Sequence, residues 1–335
     1  MSKILWKASN KRKIGSNLHK YEKFLSKKYD LNFNQKYSNI LNWSISNTGK
    51  FWNSIWDFCN IKDLKGKKII KKSKTFYKNL FLPKSKLNFA ENLLTKNTQT
   101  KAITFISENG FREEISWKSL NKNVSKIINF FKKINLKEKD RVAAYMPNSI
   151  ETVEGFLATS SSGAIWSSCS PDFGVNGVIE RFSQIKPKIL IITDKYYYNG
   201  KEINVIKRLP KIIKKIKSIK YVVVVNYPGE KYIKKKLYFK NVTIFNWIEL
   251  NKFSPNIIKF KYFDFEHELA ILYSSGTTGK PKCICHRAGG VLLQHVKEHQ
   301  LHCDIKESDN IFYFTTCGWM MWNWMVSALA SKASI

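Results

Sequence analysis

The sequence predicts an α/β fold in which a parallel or mixed sheet is covered by helices. Three observations predict it. Apolar runs such as "KILIIT" (188–193) and "YVVVVN" (221–226) show no polar alternation, as strands buried on both faces require. They alternate with segments of roughly 10–15 residues whose apolar positions recur at helical spacing. Prolines mark the junctions: Pro147 ends a strand and Pro187 stops a helix.

Taken in order, residues 1–36 are polar and lysine-rich and read as an N-terminal extension or short helices. From Tyr37 aromatics thicken, and positions 52, 55, 56 and 59 have the spacing of one helix face. "AITFISENGFREEIS" (102–116) reads as a hairpin around Asn109-Gly110. Ser116 caps a helix running to about Ile134, and "DRVAAYMP" (140–147) is a short buried strand. Asn148 with Glu151 has the spacing of a capping box for a helix that ends near Gly163. "AIWSSCSP" (164–171) is a strand, Asp172 caps a helix over 175–185, and "ELAILYSS" (268–275) is the last strand. Ligands in such folds sit beyond the carboxyl ends of strands.

The chain has 335 residues, enough for about two domains. At 43% hydrophobic and 14% aromatic it is globular rather than disordered. It has no run of about 18 apolar residues, so no spanning helix is expected. The start, "MSKILWKASNKRK", has no secretory pattern. Cysteines 59, 169, 283, 285, 303 and 317 form no disulfide framework, which favours a reducing cytoplasm.

Lys and Arg number 58 against 25 Asp and Glu, a net charge of +33. A basic nucleic-acid-binding protein is therefore an alternative, and would bind DNA or RNA with a steep salt dependence. The densest run argues against it. In "KRLPKIIKKIKSIK" (207–220), Leu209, Ile212, Ile213, Ile216 and Ile219 make one buried face and leave the lysines to solvent. The stretches 65–74 and 231–240 read the same way.

The chemistry-bearing stretch is "LYSSGTTGKPKCICH" (272–286). Ser274, Ser275, Gly276, Thr277, Thr278 and Gly279 form a loop with little side-chain bulk after a buried strand. Its glycines allow close backbone approach, its N–H groups and four hydroxyls are donors, and Lys280 and Lys282 add charge. These are the parts of a phosphate cradle rather than of a plain surface turn. It is not a Walker loop, because two residues rather than four separate the glycines and Pro281 follows Lys280.

"YSSGTTGKPK" resembles the phosphate-binding signature of the adenylate-forming superfamily, which includes acyl-CoA synthetases, luciferases and peptide-synthetase adenylation domains. Cys283 departs from it, standing where the superfamily usually has Gly. "LNFAENLL" (87–94) is similar to the end of the N-terminal cap region of short-chain acyl-CoA synthetases. "MPNSIETVEGFLATSSSGAIWSSCSPDFGVNGVIERFSQIKPKILI" (146–191) and "TTCGWMMWNWMVSAL" (315–329) look most like the acetoacetyl-CoA synthetase subfamily. The resemblance implies a cap region over 37–95 and an AMP-binding domain over 96–335, incomplete at its C-terminal end and without the small C-terminal domain.

It also implies a two-step ligase reaction on acetoacetate, ATP and coenzyme A with Mg²⁺, with no nucleic-acid or membrane partner. A ligase for another short-chain acid, such as acetate or propionate, is the nearest alternative. By the same resemblance, the loop Ser274–Lys282 holds the β- and γ-phosphates of ATP. Trp319 borders the acyl pocket and pantetheine tunnel, with Met320, Met321, Trp322 and Asn323 as wall candidates, against plain core packing. Lys201, in "YNGK" (198–201), falls where a coenzyme A phosphate is met. The family's Mg²⁺-holding acid, ribose-binding aspartate and catalytic lysine lie further downstream, so no catalytic residue is assigned in this chain. It is expected to be a portion of a synthetase, inactive alone.

A structural zinc is the competing reading of Cys283, Cys285, His286, His295, His299, His302 and Cys303. No paired C-x₂-C accompanies them, and "HVKEH" lacks the zincin order, so satisfied histidines are the expectation and no metal ligand is assigned.

Overall fold

The computed structural model describes residues 5–34, 36–230, 237–274 and 279–335. Its main sheet is built from Arg141–Tyr145 (β1), Ile165–Cys169 (β2), Ile189–Thr193 (β3), Tyr221–Val225 (β4), Thr243–Asn246 (β5), Glu268–Tyr273 (β6) and Cys283–Arg287 (β7). Among the described residues the order is β5-β4-β3-β1-β2-β6-β7. Every neighbouring pair is parallel except β6 and β7, which are antiparallel.

The unbroken apolar runs have their explanation here. Val142 and Ala144 of β1, Ile189 and Ile191 of β3, and Val223 and Val225 of β4 join one core. Their neighbours Ala143, Tyr145, Leu190, Ile192, Val222 and Val224 join a second core on the other face. Helices Trp117–Lys133 (α1) and Ile150–Ser161 (α2) cover the first face through Leu120, Val124, Phe130, Val153 and Phe156. Val175–Ile185 (α3) and Leu209–Lys215 (α4) cover the second through Val178, Phe182, Leu209 and Ile212. Each such side chain contributes about 1.5–3 kcal/mol when fully buried.

The 207–220 run behaves as its pattern requires. Leu209, Ile212, Ile213, Ile216 and Ile219 are all buried, although α4 ends at Lys215. Helix Asn17–Tyr29, inside the lysine-rich extension, is anchored: Tyr21 and Leu25 are fully buried, and the Tyr21 hydroxyl lies 2.6 Å from Ser54 Oγ. That partner lies on helix Thr48–Phe58, which buries Ile55 and Trp56. Of the lysine stretch 231–240, positions 231–236 lie outside the described residues.

Three local expectations need correction. The hairpin forms between Lys101–Ile106 and Arg112–Ser116, but only Gly110 has a left-handed φ (+82°), and its N–H bonds the Ser107 carbonyl. The loop is thus longer than a two-residue Asn-Gly turn. The N-cap of α2 is Ser149, whose hydroxyl donates to Glu151 Oε2 (2.7 Å); Asn148 accepts from Trp322 instead. Gly174, not Asp172, precedes α3. The Ser116 cap on α1 is as expected, with its Oγ accepting from the Ser119 N–H at 3.1 Å.

A second, smaller sheet begins on the hairpin. Segment 333–335 lies beside 102–104 through Ile335 N–H to Ala102 O (3.0 Å) and Thr104 N–H to Ile335 O (2.8 Å). On its other side Ile311 N–H reaches Ser334 O at 2.8 Å. Helices Ala288–Lys297 (α5) and Met320–Val326 (α6) complete the part of the chain that bears on the site. No helix among the described residues is long and apolar enough to cross a membrane.

Glu154 on α2 is 2% exposed and accepts from Asn123 Nδ2 of α1 at 2.7 Å. Burial first, and then the neighbouring Glu151, push its carboxyl up to about 8. The folded state therefore holds a proton that the unfolded chain releases near pH 4.3, and stability falls as pH rises from there to about 8. Glu154→Gln, which mimics the protonated form, is expected to raise the urea midpoint at pH 8 by the equivalent of about 1 kcal/mol or more. It should also flatten the pH dependence between 5 and 8, read from urea melts by circular dichroism.

Candidate active site

The topology fixes where a ligand can sit. β1 and β2 are adjacent, yet the helices that follow them, α2 and α3, lie on opposite faces. Their outgoing chains diverge at the carboxyl ends, the switch point where an open α/β sheet of this topology forms its ligand crevice. β6 is the next strand over and ends at Tyr273, where the hydroxyl-rich loop begins.

The loop is closed at its base. Ser274 N–H donates to Lys282 O at 3.0 Å. Ser275, Gly276, Thr277 and Thr278 lie outside the described residues. Lys280 and Lys282 are exposed, and among the described residues neither has an acidic partner within ion-pair distance. Helix α3 holds this arm: Gln184 Nε2 donates to Pro281 O at 2.9 Å, and Cys283 Sγ lies 3.6 Å from Gln184 Oε1.

One turn earlier on α3, the Arg181 guanidinium lies 4.4 Å from the Phe173 ring centroid and 5.8 Å from that of Tyr273. Tyr273 is fixed from below by Ser167 Oγ, which lies 3.0 Å from its hydroxyl and donates to Ile271 O at 2.9 Å. Burial pushes the Tyr273 phenol well above its ordinary range, so it stays neutral. The 171–173 turn is clamped by Arg208 Nη1, which donates to Pro171 O (2.7 Å) and to the Tyr145 hydroxyl, while Tyr145 donates to Phe173 O (2.6 Å).

The 317–323 corner is pinned across the crevice. Ser168 Oγ donates to Cys317 O (2.6 Å), and Cys317 Sγ approaches Met146 O (2.9 Å). Gly318 lies against the 170–173 turn; a Cβ there would stand 3.2 Å from the Phe173 ring. Trp322 is fully buried, stacked on Trp166 at 6.4 Å, and donates its indole N–H to Asn148 Oδ1 at 2.8 Å.

The sequence-derived residues divide accordingly. Trp319 and Met320 are exposed at 52% and 45%, Met321 is half-buried, and all three face outward from the pinned corner or lie at its edge. Trp322 is a core residue, as the packing alternative holds. Asn323 is 5% exposed, and both polar atoms of its amide lack a hydrogen-bond partner among the described residues. Lys201 is exposed on strand Lys201–Asn204, in a hairpin whose Asn199 and Gly200 N–H groups both point to the Glu108 carboxylate. No described contact joins it to the loop.

The Cys/His stretch does not converge. Cys283 and Cys285 are exposed on β7. His295 Nδ1 lies 2.8 Å from Ser327 Oγ, and His299 lies 4.3 Å from the Trp324 ring. Burial pushes His295 down to about 3 and His299 to about 4, so both rings are neutral at pH 7. Among the described residues, no group of three or more His, Cys, Asp and Glu side chains is placed to hold a metal ion. Reading the sequence missed Arg181, Gln184, Ser167, Ser168, Asn148 and Arg208. The signal for the first two was present: they are three residues apart on the helix that leaves the crevice.

Comparison with known proteins agrees with this architecture. The profile of the AMP-binding enzyme family matches residues 91–334, and the chain belongs to that family. An acetoacetyl-coenzyme A synthetase of Rhizobium meliloti (strain 1021) is 42% identical over 299 residues, covering 89% of this chain and 45% of that protein. An acetoacetyl-CoA synthetase of Danio rerio is 37% identical over 341 residues, covering 100% of this chain and 50% of that protein. Among solved structures, acetoacetyl-CoA synthetase from Streptomyces lividans superposes with a TM-score of 0.92 at 27% identity, covering 100% of this chain and 51% of that one. The chain thus spans about half the length of the relatives it matches. These relatives give no support to the nucleic-acid-binding alternative.

Asn148→Ala leaves the buried Trp322 indole N–H without its acceptor. The expected cost is about 1–3 kcal/mol in urea unfolding, read by tryptophan fluorescence. A change below about 0.3 kcal/mol would show that this bond does not hold the corner.

Proposed function

We propose that this chain is the nucleotide-binding part of an ATP-dependent acid–CoA ligase that forms acetoacetyl-CoA through acetoacetyl-adenylate. The observation that carries the proposal is the closed, cationic loop at the carboxyl end of β6, beside the crevice between β1 and β2. Its glycine- and hydroxyl-rich sequence, with Lys280 and Lys282 lacking an acidic partner among the described residues, suits a polyphosphate anion.

In the proposed reaction a carboxylate oxygen of acetoacetate attacks the α-phosphorus of ATP, and the bond to pyrophosphate breaks. The thiol of coenzyme A, giving up its proton, then displaces AMP from the acyl carbon. Carboxylate and triphosphate repel each other, so fixed cations and N–H donors are needed where they meet. Ser274, Ser275, Gly276, Thr277, Thr278, Gly279, Lys280 and Lys282 are assigned to the β- and γ-phosphates. Trp319, Met320 and Met321 are assigned to the acyl pocket and pantetheine path, and Lys201 to a coenzyme A phosphate.

Asn323 is the residue that suits a keto acid: a buried amide with unused donor and acceptor capacity favours a polar acyl group over acetate or propionate. Mg²⁺ takes oxygen ligands and would be carried on the phosphate oxygens of ATP, where it would offset their charge, with loop hydroxyls such as that of Ser274 able to complete its shell. Segments 37–95 and 96–335 are assigned as the cap region and the AMP-binding domain.

The test is titration of the chain with MgATP by calorimetry. Lys280→Ala combined with Lys282→Ala is expected to weaken binding at least tenfold, with Lys201→Ala leaving it unchanged. Equal binding by the double variant and the parent would contradict the assignment. The chain alone is expected to give no acetoacetate-dependent ATP–pyrophosphate exchange; measurable exchange would show that these 335 residues suffice for adenylation.

A further inference from the structure

A cavity of about 380 Å³ lies where three N-terminal helices meet the end of α5, and it shares no residue with the crevice. Its wall is mostly apolar: Leu18 and Tyr21 from helix Asn17–Tyr29, Ile40 and Leu41 from helix Tyr37–Ser46, Phe51 from helix Thr48–Phe58, and Leu301. Small-molecule sites have this size and combine such walls with a few placed polar groups. Here the charged group comes from the end of α5. The chain continues from it as a π-helical turn, Glu298–His302, a distortion common at functional sites. Lys297 before that turn and His302 at its end both line the cavity.

Lys297 carries the distinguishing chemistry. It is half-buried, and burial holds its ammonium below the usual lysine pKa, outweighing the adjacent Glu298. Among the described residues it has no acidic side chain within ion-pair distance. Glu298 is engaged elsewhere: its carboxylate accepts from Gln294 Nε2 and from the Trp324 indole N–H (2.8 Å). The Trp52 ring centroid, 5.6 Å from Lys297 Nζ, offers a π face but no counter-charge. Lys280 and Lys282 also lack acidic partners, but they are exposed and water serves them. A cation taken partly out of water without an anion is a cost that a bound carboxylate would offset.

Apolar surface stays open beside this cation. Tyr37 is 56% exposed, Leu41 42% and Ile45 67%, at a spacing of four along one helix stripe. Tyr37 and Leu41 line the cavity, and Ile45 continues the stripe from them. An apolar stripe beside a desolvated cation suits a ligand with an alkyl chain and one anionic end.

We propose that this cavity binds a medium-chain carboxylate, with its carboxylate on Lys297 and its alkyl chain along Tyr37, Leu41 and Phe51. A short acid would leave most of the cavity unfilled, so apolar length is what the walls recognise. The site does not rest on the ligase reading, whose residues lie in the crevice.

The test titrates the 335-residue chain with sodium decanoate by calorimetry, with decanol and acetate as controls. The expected result is one decanoate site, slowed amide exchange at 37–44 and 297–302, and at least tenfold weaker binding of both controls. Lys297→Met, which keeps the apolar stem, should weaken decanoate binding at least tenfold without lowering the melting temperature or changing MgATP binding. Lys297→Arg, which keeps the charge, should hold decanoate within about threefold of the parent. Absence of decanoate binding, decanol binding as tightly, or no effect of Lys297→Met would overturn the proposal. So would protection at 316–319 in the crevice instead, or a homodimer of this chain that buries Tyr37, Leu41 and Ile45.

Discussion

A sheet buried on both faces can present polar chemistry only at its ends, and this constraint organises the molecule. Val142 and Ala144 commit one face of β1 to a core, and Ala143 and Tyr145 commit the other. Nothing in the middle of the sheet is left for a ligand. At the carboxyl ends, α2 and α3 depart to opposite faces, and the crevice between them collects three segments that are remote in sequence: the 170–173 turn, the 274–282 loop and the 317–323 corner.

The supports of that crevice are mostly buried hydroxyls and one buried tryptophan. Ser167 and Ser168 are neighbours on β2 and point to opposite partners: one steadies Tyr273 and Ile271, the other holds the corner by donating to Cys317 O. Trp322 adds aromatic area, and its indole needs an acceptor in the core, which Asn148 supplies. Helix α3 serves both sides of its own axis. Val178, Phe182 and Ile185 bury it against the sheet, while Arg181 lies over Tyr273 at the loop's base and Gln184 reaches Pro281. The outcome is a cationic rim on a rigid base, which suits an anionic ligand.

Most of the fold was legible in the sequence because parallel strands write themselves as unbroken apolar runs. Each run read as a strand is one, and the isoleucines of 207–220 are buried as their spacing required. The local errors lie at caps and turns. Asn148 and Asp172 were read as caps from short-range spacing, but a tertiary partner decides the first: the Trp322 indole, 174 residues away, takes its side chain. The loop Ser274–Lys282 was legible from composition alone. Its supports were not, because Gln184 reaches Pro281, and Arg181 and Ser167 reach Tyr273 at the loop's base, only through the sheet order, which no sequence pattern states.

The central claim is that the crevice at the ends of β1, β2 and β6 holds a nucleotide triphosphate. Amide hydrogen exchange of the chain with and without saturating MgATP tests it most directly. The account predicts slowed exchange confined to 274–283 and, through the pinned corner, 316–319. Protection concentrated in the 195–204 hairpin instead, or no protection at all, would contradict it.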